Sequence, residues 1–220
     1  MADNAPPSID PADLGSLTGM IRAILRKNGM QQEDMLPAVV IAYDRASNRA
    51  TVKPMIQMVD TNGNSIGRAG VASVPVYQFG AGGFMMSFPV KSGDIGWVKA
   101  CDRDISLFMQ GYAETKPNTQ RIHSFQDSMF FPDVLTGFTI NSEDTDNAVL
   151  QNLNGTVRLA LASDKIKLTV GDISLQISSS GVDITGGYVK HNGVNIGSTH
   201  VHSQGSDSHG DSEQDTEVPH

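Results

Sequence analysis

The chain is 220 residues long and acidic, with 16 Lys and Arg against 24 Asp and Glu and a formal net charge of -8 at pH 7. This balance argues against a partner recognised by its phosphates, because nucleic-acid binding draws most of its affinity from basic side chains. A single cysteine, Cys101, excludes an intrachain disulfide framework and a cysteine zinc cluster, and no stretch approaches the roughly 18 apolar residues that span a bilayer.

Residues 1–35 are predicted to hold a leader and one short amphipathic helix. The first residues lack the basic start and apolar stretch of a signal peptide, so we expect a chain that is made in the cytosol. Asp10-Pro11 predicts the helix start, as N-cap and first helical residue. One apolar stripe with spacings of three and four ends near Gly29 and contains Leu14, Leu17, Met20, Ile21, Ile24 and Leu25. The pattern leaves open whether the stripe packs on its own domain or contacts a neighbouring subunit.

Residues 36–134 change to a period of two, which indicates β-strands. Turn residues separate the apolar runs, and one long loop interrupts them. The predicted strands are Pro37 to Tyr43, Ala50 to Val59, Gly70 to Tyr77, Asp94 to Cys101 and Ser128 to Phe131. Five strands in about a hundred residues fit a small Greek-key barrel of the oligonucleotide/oligosaccharide-binding type, the OB-fold.

Two features of this barrel region could be mistaken for active sites. Gly80-Ala-Gly-Gly83 lacks the Lys-Ser/Thr ending of a P-loop, and we interpret it as a turn before the apolar run Phe84 to Phe88, which needs a partner surface. His123 and Asp127 have no evident serine or cysteine nucleophile beside them. With Arg121 they are expected to form a local ion-pair network. We therefore predict no catalytic residue and no enzyme.

Residues 135–198 contain short strands with narrow apolar stripes. Eleven aliphatic side chains alternate with polar ones over about thirty residues: Val157, Leu159, Leu161, Ile166, Leu168, Val170, Ile173, Leu175, Ile177, Val182 and Ile184. A monomer has nothing to cover these stripes, whereas three chains can place them on a common axis and pair their strand edges. The pattern predicts an intertwined triple-stranded β-helix or prism. A second small sandwich folded within one chain is the alternative.

Residues 199–220 hold the candidate metal site. His200 and His202 are separated by one residue, so an extended chain places both imidazoles on one face. Three copies around a threefold axis would supply six nitrogens, and such an array favours an octahedral ion over tetrahedral zinc. With every position filled by protein, the metal would be structural. The alternative is two exposed histidines in a polar tail, whose five carboxylates match no EF-hand loop.

Several short blocks, in order, resemble a known family of phage proteins. They are Leu36-Pro-Ala-Val-Val-Ile-Ala-Tyr-Asp-Arg45, Asn48-Arg-Ala-Thr-Val-Lys-Pro54, Val74-Pro-Val76, Phe88-Pro-Val-Lys-Ser-Gly-Asp-Ile-Gly96, Arg121-Ile-His-Ser-Phe-Gln-Asp127 and Val189-Lys-His-Asn-Gly-Val-Asn-Ile-Gly-Ser-Thr-His-Val-His202. The first five blocks resemble the N-terminal domain of the Gp138 family, central spike proteins of contractile-tail baseplates. The last resembles the His-x-His apex of the same family and of other phage spikes.

This resemblance implies a complete set of expectations. The chain would be a homotrimer at the tip of the tail baseplate in the virion, docked by its N-terminal barrel to hub or other baseplate proteins. It would cross the host outer membrane transiently during contraction. One structural iron ion per trimer would be bound by His200 and His202 of three chains. From another class of proteins, the alternative is an OB-fold binding module for glycan or nucleic acid on a trimeric stalk, which the acidic charge and sparse aromatic residues oppose.

Overall fold

The computed structural model describes residues 15–60, 62–203 and 216. The chain divides into two compact units, Met1–Thr136 and Gly137–His220. Both are mostly β, with a few helical segments in the described residues. No helix in that part of the chain is long and apolar enough to span a bilayer.

The first unit is organised around one sheet of five strands. Its described elements are α1 (Leu17–Gln31), β1 (Met35–Asp44), β2 (Arg49–Pro54), β3 (Met58–Val59), β4 (Ser65–Ile66), β5 (Val71–Pro75), β6 (Phe79–Ala81), β7 (Phe84–Met86), β8 (Ile95–Cys101), α2 (Phe108–Gly111) and β9 (Ser124–Pro132). The sheet has the order β5-β2-β1-β8-β9, and its neighbouring strands are antiparallel. The pairs β3–β4 and β6–β7 form separate two-stranded hairpins.

The two edges of this sheet approach each other and nearly close it into a barrel. Immediately after β5, Val76 forms a parallel bridge with Phe130 of β9, and the Tyr77 N–H donates to the Phe130 carbonyl at 2.8 Å. A five-stranded, partly open barrel with this connectivity fits the predicted OB type. The prediction of a mostly β fold with a small barrel is therefore confirmed.

The barrel core consists of side chains that the period-two pattern turns inward. Phe130 is fully buried and packs with Val40, Val52 and Val98, one residue from each of four strands. A Cβ at Gly96 would collide with the Phe131 carbonyl oxygen and the Phe130 ring, so glycine at this position lets β8 and β9 pair beside a large aromatic side chain.

Two predicted boundaries are wrong. The helix begins at Leu17 rather than at Pro11, because Ser16 is extended and its side chain accepts the Gly19 N–H as an N-cap; Asp10, Pro11 and Leu14 lie outside the described residues. The second strand ends at Pro54 rather than at Val59. Proline has no N–H to extend a ladder, and Met58–Val59 pair with Ser65–Ile66 instead.

An ion-pair network attaches the long β8–β9 loop to strand β9. Arg121 donates to Asp127 at 2.8 Å and to Asp104 at 3.1 Å, and both carboxylates are buried. Asp104 also accepts hydrogen bonds from the Ser106 N–H at 2.9 Å and the Thr119 hydroxyl at 2.7 Å. The predicted pair of Arg121 with Asp127 is present. His123 takes no part in these pairs, and its carbonyl accepts the Glu33 N–H.

At neutral pH we expect Asp104→Asn to lower the thermal unfolding midpoint. Hydrogen bonds from Ser106 and Thr119, with the Arg121 guanidinium nearby, hold the pKa of Asp104 well below its usual range. Since the folded-state pKa is lowered, this stabilisation is complete above the ordinary aspartate pKa of about 4 and is lost as the pH falls from there toward the folded-state pKa. The difference between variant and wild type should therefore stay constant from about pH 7 to about pH 5 and shrink as the pH is lowered further to about pH 3. The exposed Asp102→Asn is the control, and an equal effect of both variants would contradict the prediction.

The second unit contains an antiparallel meander followed by a small hairpin. Its described strands are β10 (Ala148–Gln151), β11 (Val157–Leu161), β12 (Lys165–Val170), β13 (Ile173–Ser178), β14 (Gly181–Thr185), β15 (Lys190–His191) and β16 (Val194–Asn195). The first five form one sheet in chain order, so most of their hydrogen bonds are made within one chain. This differs from the expectation that every strand edge pairs with a neighbouring chain. In the described part of this unit the only other sheet is the two-stranded β15–β16 pair, unlike the two packed sheets of a small sandwich.

Candidate trimer interface and metal-binding tip

One face of the β10–β14 sheet is apolar from edge to edge. Residues paired across antiparallel strands point to the same face, and their side chains touch. The register joins three rows of such side chains. They are Leu150, Leu159, Leu168, Leu175 and Ile184; then Ala148, Leu161, Ile166, Ile177 and Val182; and finally Val157, Val170 and Ile173. We call these three rows the apolar face.

Most side chains of the apolar face are exposed to water. Val170 is 60% exposed and Ile173 is 51% exposed, although both are β-branched residues in regular strands. Large contiguous apolar patches are uncommon on soluble monomers and mark surfaces that bind another molecule. Covering such a side chain fully contributes about 1.5 to 3 kcal/mol. The apolar face therefore requires a cover that the described part of this unit does not supply.

The opposite face of the sheet is polar and already partly covered by the chain itself. Arg158 on β11 is 7% exposed. Its guanidinium donates to Asp144 at 2.7 Å and forms an ion pair with Glu143, and Lys167 reaches Glu143 at 2.9 Å. These contacts hold the 3₁₀ turn Ser142–Asp144 against the sheet. The sequence analysis did not identify this contact; the signal that could have found it is an arginine on the polar side of an alternating strand.

The loop before His200 is shaped by Asn192, Gly193 and Asn195. Asn192 and Gly193 both have positive φ, 49° and 85°, and form the two-residue turn between β15 and β16. The Asn195 side chain then accepts the Gly197 N–H at 3.0 Å and donates to the Thr199 hydroxyl at 2.7 Å. These bonds fix a tight loop that leads directly into His200.

His200 and His202 lie side by side at the end of this loop. Their ring centroids are 5.2 Å apart and the rings are nearly perpendicular, at 86°. His200 Nδ1 lies 2.6 Å from the Gly197 carbonyl oxygen. A carbonyl can only accept, so Nδ1 carries the proton and Nε2 keeps a lone pair for a ligand. The Thr216 N–H donates to the His202 carbonyl and the His202 N–H donates to the Thr216 hydroxyl, both at 3.0 Å; the rest of the predicted acidic tail lies outside the described residues.

This pair fits part of an iron site. Imidazole nitrogens bind transition-metal ions at about 2 Å. Two imidazole rings whose centroids are about 4 to 6 Å apart can therefore bind the same ion. Within residues 15–60 and 62–203, no group of three or more His, Cys, Asp or Glu side chains is placed to bind a metal. The described residues of one chain thus offer two suitable donors, and the predicted six-coordinate site would take its other four from two more chains. The metal site at His200 and His202 stays a prediction.

Comparison with known proteins locates the family resemblance in the first unit. Residues 36–133 match the family model described as the phage protein Gp138 N-terminal domain. The match spans the five-stranded barrel and somewhat less than half of the chain; the apolar face and the histidine pair lie beyond it. A search of the curated proteins found no match. The expected relationship is confirmed at the level of this domain: residues 36–133 are similar to the Gp138 N-terminal domain of phage proteins and fold as a nearly closed five-stranded barrel.

Proposed function

We propose that this protein is the central spike of a contractile phage tail, a homotrimer at the baseplate tip that pierces the host envelope on contraction. The observation that carries the proposal is the uncovered apolar face of the second unit. The Gp138 N-terminal domain supports a structural component of a phage particle. The spike acts mechanically, without a catalytic residue.

Three copies of the second unit can cover one another. If each single-layer sheet is one wall of a three-sided prism, all three apolar faces point to the common axis. The polar faces with Arg158 and Glu143 then remain outside, in contact with water. Each wall is already hydrogen-bonded within its own chain, so the prism forms by packing of faces and does not require exchange of the inner strands. Such a closed, tightly packed rod is stiff, as a piercing shaft must be.

The tip of the prism is the place for the metal. His200 and His202 from three chains supply six imidazole nitrogens to one iron ion, whose role is to link three chain ends that would otherwise separate. With six protein ligands no position is open to water or substrate, so the ion is structural. The Nδ1–H bond of His200 to Gly197 sets its ring orientation before the ion binds.

The barrel is the part that docks to hub or other baseplate proteins. Its β6–β7 hairpin exposes large apolar side chains, with Phe84 85% exposed and Phe79 and Met85 also largely exposed. Aromatic residues and methionine are enriched in the buried parts of protein interfaces. This hairpin is therefore the best candidate for the docking contact.

Light scattering combined with elemental analysis of the purified protein tests the proposal. We expect a mass of about 70 kDa, three times the 23.5 kDa of one chain, and close to one iron ion per three chains. A monomer would overturn the spike. A trimer with no bound metal would retain the shaft and reject the iron tip.

A further inference from the structure

The helix α1 has an apolar stripe that nothing in the described part of the chain covers. Gly19 is its only buried residue, whereas Leu17 is 75% exposed and Ile24 is 65% exposed. A helix of 15 residues with Gly19 and Gly29 in its interior is marginal by itself, because helices in proteins are stabilised mainly by packing of one face. The helix therefore needs a partner surface.

The stripe follows the heptad spacing of a coiled coil. Leu17, Ile21, Ile24 and Asn28 are separated by four, three and four residues, which places them at successive d, a, d and a positions. Met20 and Leu25 occupy the flanking g and e positions. Arg22 and Arg26 occupy b and f, on the opposite side, and Lys27 occupies the second g position, beside Asn28 at the polar end of the stripe.

The residue types at these positions favour more than two helices in parallel. Isoleucine at both a and d shifts coiled coils from dimers toward trimers and tetramers. Apolar residues at e and g widen the contact stripe beyond that of a two-stranded seam. A single asparagine at an a position, here Asn28, sets the alignment of the helices at some cost in stability.

We propose that the α1 helices of three chains pack together as a parallel three-helix coiled coil, a trimer contact separate from the apolar face. This inference rests on the homotrimer proposed above. Joining the chains elsewhere raises the effective concentration of the helices, which compensates for their short length. A lipid surface fits less well, because α1 has no aromatic residue and its stripe ends in Asn28 and Gln31.

Cysteine cross-linking of the full-length trimer tests this arrangement. Ile24→Cys and Ala23→Cys are introduced separately with Cys101→Ser, so that each chain has one thiol. A disulfide requires Cα atoms within about 7 Å, which a d position near the axis meets and the neighbouring c position, pointing outward, does not. After mild oxidation we expect several-fold more disulfide-linked dimer from Ile24→Cys, measured on a non-reducing gel.

The outcomes separate this inference from the proposed function. A protein that is trimeric by light scattering but cross-links equally, or not at all, at both positions overturns the coiled coil and leaves the spike intact. That result would assign the stripe to another protein or to a lipid surface. A monomeric protein overturns the homotrimer and the coiled coil with it.

Discussion

Leu175→Glu is expected to dissociate the trimer into monomers, whereas Gln176→Glu in the next position leaves it intact. The two residues are adjacent on β13 and point to opposite faces of the sheet. Both substitutions introduce the same glutamate, so the two variants differ only in the face that carries it. Leu175 lies in the middle strands of the apolar face, where three copies would enclose three unpaired carboxylates. An unpaired buried charge costs several kcal/mol, and like charges near one axis add to that cost. Gln176 faces Lys167 on the polar side, where glutamate meets a cation and water.

The measurement is the mass in solution, about 70 kDa for a trimer against 23.5 kDa for one chain. If Leu175→Glu does not fold, the less disruptive Leu175→Ala is compared with Gln176→Ala instead. Loss of a buried leucine side chain should cost about 2 to 5 kcal/mol per chain in unfolding free energy, and Gln176→Ala should change little. A trimeric Leu175→Glu variant as stable as wild type would show that the apolar face is not the subunit interface.

The double variant His200→Ala, His202→Ala is expected to lose the bound iron and to remain trimeric. The substitutions remove every proposed ligand, while the much larger apolar face continues to hold the chains together. Elemental analysis and light scattering on the same sample give both results.

His191→Ala is the matched control. It removes an exposed histidine from the hairpin that precedes the tip, and it should leave the iron content unchanged. Iron retained by the double variant would place the metal elsewhere. Dissociation of the double variant into monomers would show instead that the ion, and not the apolar face, holds the trimer.

The barrel was predictable because its signals are local and repeated. Alternation along β1 and β8 marked which side chains turn inward, and turn residues such as Asp44 and Gly93 marked where the strands end. The same local reasoning missed the separate β3–β4 hairpin. Strand β2 ends at Pro54, and Met58–Val59 pair instead with Ser65–Ile66, a partner that the local pattern does not reveal. It also placed the helix start too early, because Asp10 and Ser16 are both suitable N-cap residues and the extended backbone of Ser16 shows only in the structure.

The histidine pair could be identified from the sequence, but the loop that orients it could not. The spacing of His200 and His202 singled out the pair, whereas the bond from Gly197 that selects the free nitrogen of His200 depends on how the loop folds. Arg158 was missed for a similar reason. An arginine in a strand is common and gives no sign of burial in the sequence. Arg158 is buried because the turn that contains Asp144 packs against it in the folded chain.

The alternation in the sequence predicted that the strands of the second unit have one apolar side, and the described residues of that unit leave this side exposed. The tertiary structure decided that these strands pair within one chain and that the register aligns their apolar residues into continuous rows from Leu150 to Ile184. The reason is physical: alternation specifies which residues share one side of one strand, but the alignment of neighbouring strands depends on hydrogen bonds and turns that join distant positions. Continuous rows, rather than isolated stripes, form one extended apolar surface.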